Sequence, residues 1–267
     1  MITSFDIKLF TKIAQLNQKE LKKSLGAFLR KKYETVIETE TYIYAVGDIN
    51  VALVAHLDTI FTTKPEIFHD AEKKVLWSPN GLGADDRAGV YGIAHIILKT
   101  SFRPHIIFTT DEEVGCTGAA NLSAIKNPFP NLKYIIQLDR KGKDECVFYG
   151  CGNEDFQNYV QTFGFTKEIG SCSDISFICP AWNVAGVNLS IGYENEHSYR
   201  EYLNYDYLIE TLQKIEKMLE DYKNDTHYEY IPKIEHCCIC DKDIPVDKGY
   251  YIQETFVCLK CLGGIAE

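Results

Sequence analysis

Five short clusters of carboxylate and histidine side chains lie between residues 50 and 200. They are His56-Leu57-Asp58, Ala84-Asp85-Asp86, Asp111-Glu112-Glu113, Leu138-Asp139 and Glu196-His197-Ser198. Histidine and carboxylates in this proportion suit zinc that keeps one position open for water, whereas a purely structural zinc is usually closed by cysteine and histidine. The clusters therefore predict a hydrolase that uses two zinc ions.

A second pattern near the C-terminus consists of two cysteine pairs. Cys237 and Cys240 are separated from Cys258 and Cys261 by 17 residues, so the C-x2-C motif occurs twice. This spacing is typical of a zinc ribbon or knuckle. A segment of about 37 residues rarely folds without a bound metal or a disulfide to stabilise it. We therefore predict one structural zinc. Residues 231–267 hold four Lys, no Arg and six acidic residues, and this negative balance favours a protein contact or a brace over nucleic acid.

The composition limits the partners and the compartment. The chain has 267 residues and a formal net charge of −10, so neither nucleic acid nor an anionic membrane is expected as a partner. No apolar run approaches the ~18 residues needed to span a bilayer, and the first residues lack the charged start and apolar core of a secretory signal. Five of the ten cysteines, including Cys238, crowd into the last segment, and the other five are scattered, which fits free thiols in a reducing compartment. We expect a soluble, cytoplasmic protein.

The hydrophobic pattern predicts the elements that position these clusters. Residues 5–31 carry apolar side chains at helical spacing and predict two amphipathic helices. Strands are predicted at 35–38, 42–46, 51–56, 105–110 and 134–138. The last three are nearly continuous apolar strings, which suit strands buried on both faces of a sheet.

Helical segments alternate with those strands. They lie at 87–98 and 118–125, and a closing amphipathic helix is predicted at 205–219. The alternation predicts a three-layer α/β/α fold with a mixed, largely parallel central sheet. A polar stretch at 221–227 reads as a linker. We therefore predict a catalytic domain over 1–224 and a small zinc-ribbon-like module over 231–267.

The predicted ligands converge on one edge of this sheet. His56, Glu112, Glu113 and Asp139 all fall at or just past the C-terminal ends of predicted strands, which is the edge where open α/β sheets bind ligands. Each cluster also has a simpler explanation. A His-x-Asp triplet occurs by chance, an aspartate can cap the helix that follows, adjacent glutamates can form a solvated loop, and Asp139 could pair with Arg140 instead of zinc.

The order of the motifs is more specific than any one of them. His-x-Asp, then Gly-Ala-Asp-Asp-Arg-Ala-Gly, then Asp-Glu-Glu-Val-Gly, a strand-end Asp and a late Glu-His-Ser resemble the co-catalytic dizinc exopeptidase clan. This clan includes leucyl-type aminopeptidases, the bacterial tripeptidase, tetrahedral aminopeptidases and carboxypeptidase-like amidohydrolases. The resemblance runs from about Val51 to about Leu219.

The resemblance implies a role for each residue. His56 and Asp139 would bind one metal, Glu113 and His197 would bind the other, and Asp85 would bridge the two. Asp58 would hold the His56 ring in the tautomer that binds metal. Glu112 would act as the general base that takes a proton from the attacking water and hands it to the leaving amine. The clan also commonly has a cis peptide after the bridging aspartate, and the residues predicted to bind substrate are Asp174, Tyr193 and Arg140.

The chain is more compact than many members of that clan. Only 29 positions separate His56 from Asp85, and 58 separate Asp139 from His197, so neither gap can hold an inserted lid or dimerisation domain. This layout favours an aminopeptidase of short peptides, with two catalytic zinc ions (cobalt or manganese being possible substitutes) and one structural zinc. The alternatives are an amidohydrolase or deacylase of a small N-acylated metabolite, and a catalytically idle scaffold that uses the zinc ribbon to bind a protein. The intact Glu112 argues against the scaffold.

Overall fold

An eight-stranded mixed sheet forms the centre of the protein. The computed structural model describes residues 2–221, 226–253 and 255–263. The strands of this sheet, in chain order, are β1 (Thr35–Glu38), β2 (Tyr42–Val46), β3 (Ile49–His56), β6 (Pro104–Thr109), β7 (Tyr134–Arg140), β8 (Glu145–Val147), β9 (Thr166–Glu168) and β10 (Gly186–Ser190). Their spatial order is β1-β2-β6-β3-β7-β10-β8-β9. The four inner strands β6, β3, β7 and β10 run parallel, while β2 and β8 pair antiparallel with the strands inside them.

Helices cover both faces of this sheet. They are α1 (Ile7–Ala14), α2 (Gln18–Leu29), α3 (Ala84–Lys99), α4 (Thr117–Ser123), α5 (Glu154–Gln161), α6 (Ile175–Trp182) and α7 (Tyr205–Glu220). Side chains along β3 alternate between the two layers: Leu53 packs in the core that contains α1, α3 and α7, and Val54 packs in the core that contains α4 and α6. Because the side chains of residues 51–55 all meet a helix layer, this part of the strand needs an unbroken apolar sequence. The predicted three-layer α/β/α fold is confirmed.

Helix α3 packs directly on β7 and brings its first residues to the edge of the sheet. A Cβ atom at Gly89 would lie 1.9 Å from the carbonyl oxygen of Leu138, so only glycine permits this close approach. Asp85 and Asp86 have non-helical backbone angles, so the regular helix begins at Arg87, as predicted. The peptide bond between Asp85 and Asp86 is cis.

A smaller four-stranded sheet was not anticipated from the sequence. Its strands are β4 (Phe68–Asp70), β5 (Val75–Trp77), β11 (Tyr193–Glu194) and β12 (Tyr202–Asn204), in the order β11-β12-β5-β4. The turn between β11 and β12 carries the Glu196-His197-Ser198 cluster. This sheet therefore positions the last predicted metal ligand.

The C-terminal residues form two short hairpins and a helical turn. The elements are β13 (Ile234–Cys237), β14 (Lys242–Pro245), β15 (Gly249–Ile252), β16 (Thr255–Cys258) and α8 (Leu259–Gly263). Cys237, Phe256 and Cys258 form a small apolar cluster of their own, which is compatible with a zinc-ribbon-like module. The predicted linker at 221–227 falls mainly on 222–225, outside the described residues. Within the described part of the chain, no helix has both the length and the apolar character that a bilayer crossing requires.

Candidate active site

The predicted ligands meet at the C-terminal edge of the parallel strands. His56 ends β3, Glu113 lies in the loop after β6 and Asp139 is near the end of β7. Asp85 approaches from the start of α3 and His197 from the turn between β11 and β12. Five segments that are distant in sequence thus supply one site.

The five side chains form two groups that share one residue. In the first group, His56 Nε2 lies 3.1 Å from Asp85 Oδ1 and 3.5 Å from Asp139 Oδ1. In the second, His197 Nε2 lies 2.8 Å from Glu113 Oε2 and 3.3 Å from Asp85 Oδ2. The potential ligand atoms within each group all lie within 4.8 Å of one another. Asp85 therefore offers one carboxylate oxygen to each group.

The electrostatics of these groups fit a pair of divalent cations. Burial, reinforced by the nearby charge of Asp85, raises the pKa of Glu113 to about 7. Hydrogen bonding to Asp85, with help from Glu113, raises the pKa of His197 to about 9. Burial also raises the pKa of Asp139, and Glu113 Oε1 is buried without a hydrogen-bond partner. Crowded buried carboxylates are costly unless a cation meets them, so this donor set of imidazoles and carboxylates suits metal binding.

Asp58 supports both the ring of His56 and the acidic loop. One carboxylate oxygen lies 3.2 Å from His56 Nδ1 and accepts the backbone N–H of Glu112 at 3.1 Å. The other accepts the backbone N–H of Glu113 at 3.0 Å. Burial opposes ionisation of Asp58, but the hydrogen bond and charge of His56, together with the backbone N–H groups of Glu112 and Glu113, outweigh burial and lower the pKa. The contact with His56 was expected; the two backbone contacts could not be read from the sequence.

Glu112 belongs to neither group of potential ligands among the described residues. It lines a cavity of about 240 Å³ together with Asp85, Asp139 and His197. Its Oε1 accepts a weak hydrogen bond from Cys116 Sγ at 3.6 Å. Burial raises its pKa to about 8, and the charges of Asp139, Asp174 and Asp85 add to this. A carboxylate beside the potential ligands and free of them can exchange protons with a molecule bound in the cavity.

The three residues predicted to bind substrate lie in different surroundings. Tyr193 and Arg140 line the same cavity as Glu112, and the Tyr193 hydroxyl donates to Asp139 Oδ1 at 3.3 Å. Asp174 is 0% exposed and accepts a hydrogen bond from the Thr109 hydroxyl. Burial raises the pKa of Asp174 to about 7. The structure therefore brings Tyr193 and Arg140 to the cavity and keeps Asp174 in the interior behind it.

Sequence reasoning missed two supports of the site. The Glu201 carboxylate accepts the backbone N–H of Gly83 at 2.6 Å and of Asp85 at 3.0 Å, and so fixes the loop that carries the shared aspartate. Gln137 and Ser173 both donate to Asp139 Oδ2 at 3.0 Å. A single glutamate, or a glutamine inside an apolar strand, has no sequence pattern that would reveal such a role.

The four predicted cysteines also come together. Cys237, Cys240, Cys258 and Cys261 place their sulfur atoms within 4.8 Å of one another. The backbone N–H of Cys258 donates to Cys237 Sγ at 3.3 Å and lowers the pKa of that thiol, with other backbone N–H groups, to about 6. Cys238 is exposed and outside the cluster. Four thiols around one point are the usual ligand set of a structural zinc.

The architecture of this chain can be compared with that of solved structures. The same fold, a largely parallel sheet flanked by helices, occurs in solved structures of an aminopeptidase and a tripeptidase. No protein-family model and no curated protein sequence matches the chain. The likeness is to solved structures, and it confirms at the level of fold the resemblance seen in the motifs.

Three of these structures cover most of the chain. Aminopeptidase PepT from Bacillus cereus is 15% identical with a TM-score of 0.63, over 82% of this chain and 98% of that one. A tripeptidase from Staphylococcus aureus is 14% identical with a TM-score of 0.59, over 80% and 97%. An aminopeptidase from Desulfurococcus kamchatkensis is 13% identical with a TM-score of 0.58, over 80% and 94%.

Proposed function

We propose that the chain is a zinc-dependent aminopeptidase that removes residues from the free N-termini of short peptides. The observation that carries the proposal is the position of Asp85, whose two oxygens belong to two different groups of potential ligands. A carboxylate shared in this way is what a two-metal hydrolase needs. The names of the similar structures, aminopeptidases and a tripeptidase, point to the same reaction class.

Each residue has one task in this proposal. His56, Asp139 and Asp85 would hold one zinc, and Asp85, Glu113 and His197 would hold the other. When bound, the two ions would polarise the scissile carbonyl and make the attacking water more acidic. Glu112 takes the proton of that water and passes it to the leaving amine. Its place in the cavity beside both groups, and outside either of them, supports this role.

Supporting residues fix this arrangement. Asp58 holds the ring of His56 and the backbone of the loop that carries Glu112. Tyr193 orients Asp139 from one side, and Gln137 and Ser173 do so from the other. A carboxylate that accepts several hydrogen bonds is held in one rotamer, and such supports normally set the affinity of a metal site.

The preference for a free N-terminus rests on the size of the site. The cavity beside Glu112 is about 240 Å³, which suits one terminal residue better than a long chain. Between Asp139 and His197 the described chain forms β8, α5, β9, α6, β10 and β11, all parts of the compact fold. No separate lid is inserted there. The second candidate is a deacylase of a small N-acylated metabolite, because the ligand groups do not encode the side chain that is recognised.

One comparison distinguishes these two activities. The zinc-loaded protein is incubated with a tripeptide such as Leu-Gly-Gly and with the same peptide acetylated at its N-terminus. An aminopeptidase cleaves the unblocked peptide faster and releases leucine. Faster cleavage of the acetylated peptide would favour the deacylase, and no cleavage of either by the two-metal form would favour the idle scaffold.

We further propose that residues 1–224 form the catalytic domain and that residues 231–267 form a separate module with a third zinc. The four clustered sulfur atoms and the small apolar core around Phe256 support this division. The negative charge of the module disfavours nucleic acid. A brace for the catalytic domain, or a contact with another protein, remains its proposed role.

A further inference from the structure

A second, larger cleft opens on the Glu113 side of the candidate site. Its volume is about 830 Å³, within the usual range for sites that bind small molecules. Asp58 and Glu113 line it, whereas Glu112, Asp139 and His197 line the smaller cavity. The two spaces thus flank the two ligand groups. A peptide whose first residue occupies the smaller cavity would extend into the larger cleft.

Arg87 is the unusual residue of this cleft. It lines the cleft but is only 3% exposed, and its Nε and Nη1 atoms are buried without a hydrogen-bond partner. A buried cation without partners is costly, and native proteins normally satisfy such groups. The position therefore points to a ligand that supplies the missing acceptors.

The neighbouring carboxylates do not fill this need. Both oxygens of Asp58 are engaged by His56 and by the backbone of the acidic loop. Asp86 accepts the backbone N–H of His56 through Oδ2 and that of Gly89 through Oδ1. The charges of both carboxylates act on the Arg87 guanidinium, but their hydrogen bonds go to His56 and to backbone N–H groups. The Nε and Nη1 atoms of Arg87 are therefore left for another acceptor.

The remaining charges of the cleft also favour one position for an anion. Glu20 and Asp111 line the cleft and repel a carboxylate. Lys64 lines it too, but its side chain is exposed and water screens its charge. Arg87 is thus the buried cation among the residues that line the cleft. A planar guanidinium matches a carboxylate through two parallel hydrogen bonds, a geometry that a lysine cannot offer.

We propose that Arg87 binds the C-terminal carboxylate of the peptide substrate, so that the enzyme selects short peptides with a free C-terminus. This inference rests on the proposed aminopeptidase function and names the substrate class of the same site. A carboxylate anchored at a fixed position in the cleft also limits how many residues can lie between it and the scissile bond.

The test compares Leu-Gly-Gly with its C-terminal amide, both with free N-termini. The unaltered protein should have a kcat/KM for the acid about ten- to a hundred-fold above that for the amide, as expected for loss of a charge-assisted hydrogen bond. Equal values would overturn the inference. A C-terminally amidated peptide with aspartate as its second residue should also be cleaved slowly. Rapid cleavage of this peptide would mean that Arg87 binds a side-chain carboxylate and not the C-terminus.

Variants locate the effect. Arg87→Met should lower kcat/KM for the free-acid peptide about ten-fold or more relative to the amide. Arg87→Lys should keep only part of the preference for the acid, because lysine keeps the positive charge but cannot form two parallel hydrogen bonds. Arg140→Met is the matched control, since Arg140 lines the smaller cavity. If Arg140→Met abolishes the preference while Arg87→Met retains it, the carboxylate binds in the other space and the inference is wrong.

A binding measurement separates this inference from the catalytic proposal. In the zinc-loaded Glu112→Gln variant, which should not turn over peptide, Gly-Gly should raise the melting temperature more than its amide does, because only the free acid can pair with Arg87. Adding Arg87→Met to this variant should remove the difference. Equal stabilisation by the two compounds contradicts the inference whatever the activity. Conversely, a preference for the acid in binding, without any peptide cleavage, would refute the aminopeptidase proposal and leave the Arg87 site in place.

Discussion

Glu112→Gln is the sharpest test of the proposed mechanism. The glutamine keeps the size of the side chain and can still accept the weak contact from Cys116, but it cannot take a proton from water. Activity should therefore fall by about 10²–10⁴, the usual contribution of a positioned acid/base group. This range corresponds to roughly 3–5 kcal/mol in the activation free energy.

The fold and the bound metal should survive this change. Glu112 belongs to neither group of potential ligands, so the change removes no metal-binding atom, and the glutamine fills the same volume without lowering the free energy of unfolding. Metal content by elemental analysis and kcat with a free-N-terminal peptide are the two measurements. Near-normal turnover with both metals bound would refute the assignment of Glu112 as base.

Glu113→Gln is the matched control because it alters the adjacent side chain. Glu113 contributes to the second ligand group, with its Oε2 2.8 Å from His197 Nε2. Its loss should weaken metal affinity, so excess zinc or cobalt should restore part of the activity. Glu112→Gln should show no such recovery. If added metal rescues both variants equally, the division of labour between the two glutamates is wrong.

Two further predictions concern other parts of the molecule. A Cys258→Ser, Cys261→Ser double variant should lose about one equivalent of zinc and keep the two in the catalytic groups; unchanged metal content would exclude the four-cysteine site. Burial lowers the pKa of His105 to about 4, which is below its value of about 6.5 in the unfolded chain. The unfolded state therefore binds more protons between these values, and the free energy of unfolding should fall as the pH drops from about 6.5 to about 4. The loss attributable to this residue is up to about 3 kcal/mol, at 1.36 kcal/mol per pKa unit. In urea unfolding at pH 7 and pH 4.5, His105→Gln should lose correspondingly less stability than the parent protein, since the amide can accept the Gly47 N–H without titrating; equal losses would contradict this assignment.

The parallel strands at the centre of the sheet were predictable, because a strand that is buried on both faces requires a continuous run of apolar residues. Residues 51–55 are an uninterrupted apolar run because β3 contacts a helix layer on each side. The ligands that end such strands were predictable for a related reason, since parallel strands present their C-terminal ends at one edge. His56 and Asp139 are both at that edge, as the sequence indicated.

The small second sheet and the supports of the site left no comparable mark. Strands β4, β5, β11 and β12 have two or three residues each, too few to show a period. Glu201 acts through hydrogen bonds to backbone groups 116 and 118 positions earlier in the chain, and no local pattern encodes such a contact. Asp174 was predicted to bind substrate from the resemblance; the structure buries its carboxylate directly before α6, where it accepts a hydrogen bond from Thr109.

The position of Asp58 has an evolutionary consequence. One carboxylate anchors the imidazole of the first ligand group and the two amides of the loop that carries both glutamates. A change at this position moves the histidine ligand, the proposed base and the second ligand group together. Among related proteins that have lost catalysis, those that still bind metal should therefore have a substitution at Glu112. Those with a substitution at Asp58 should have lost metal binding and catalysis together, so position 58 is the more informative marker of an inactive lineage.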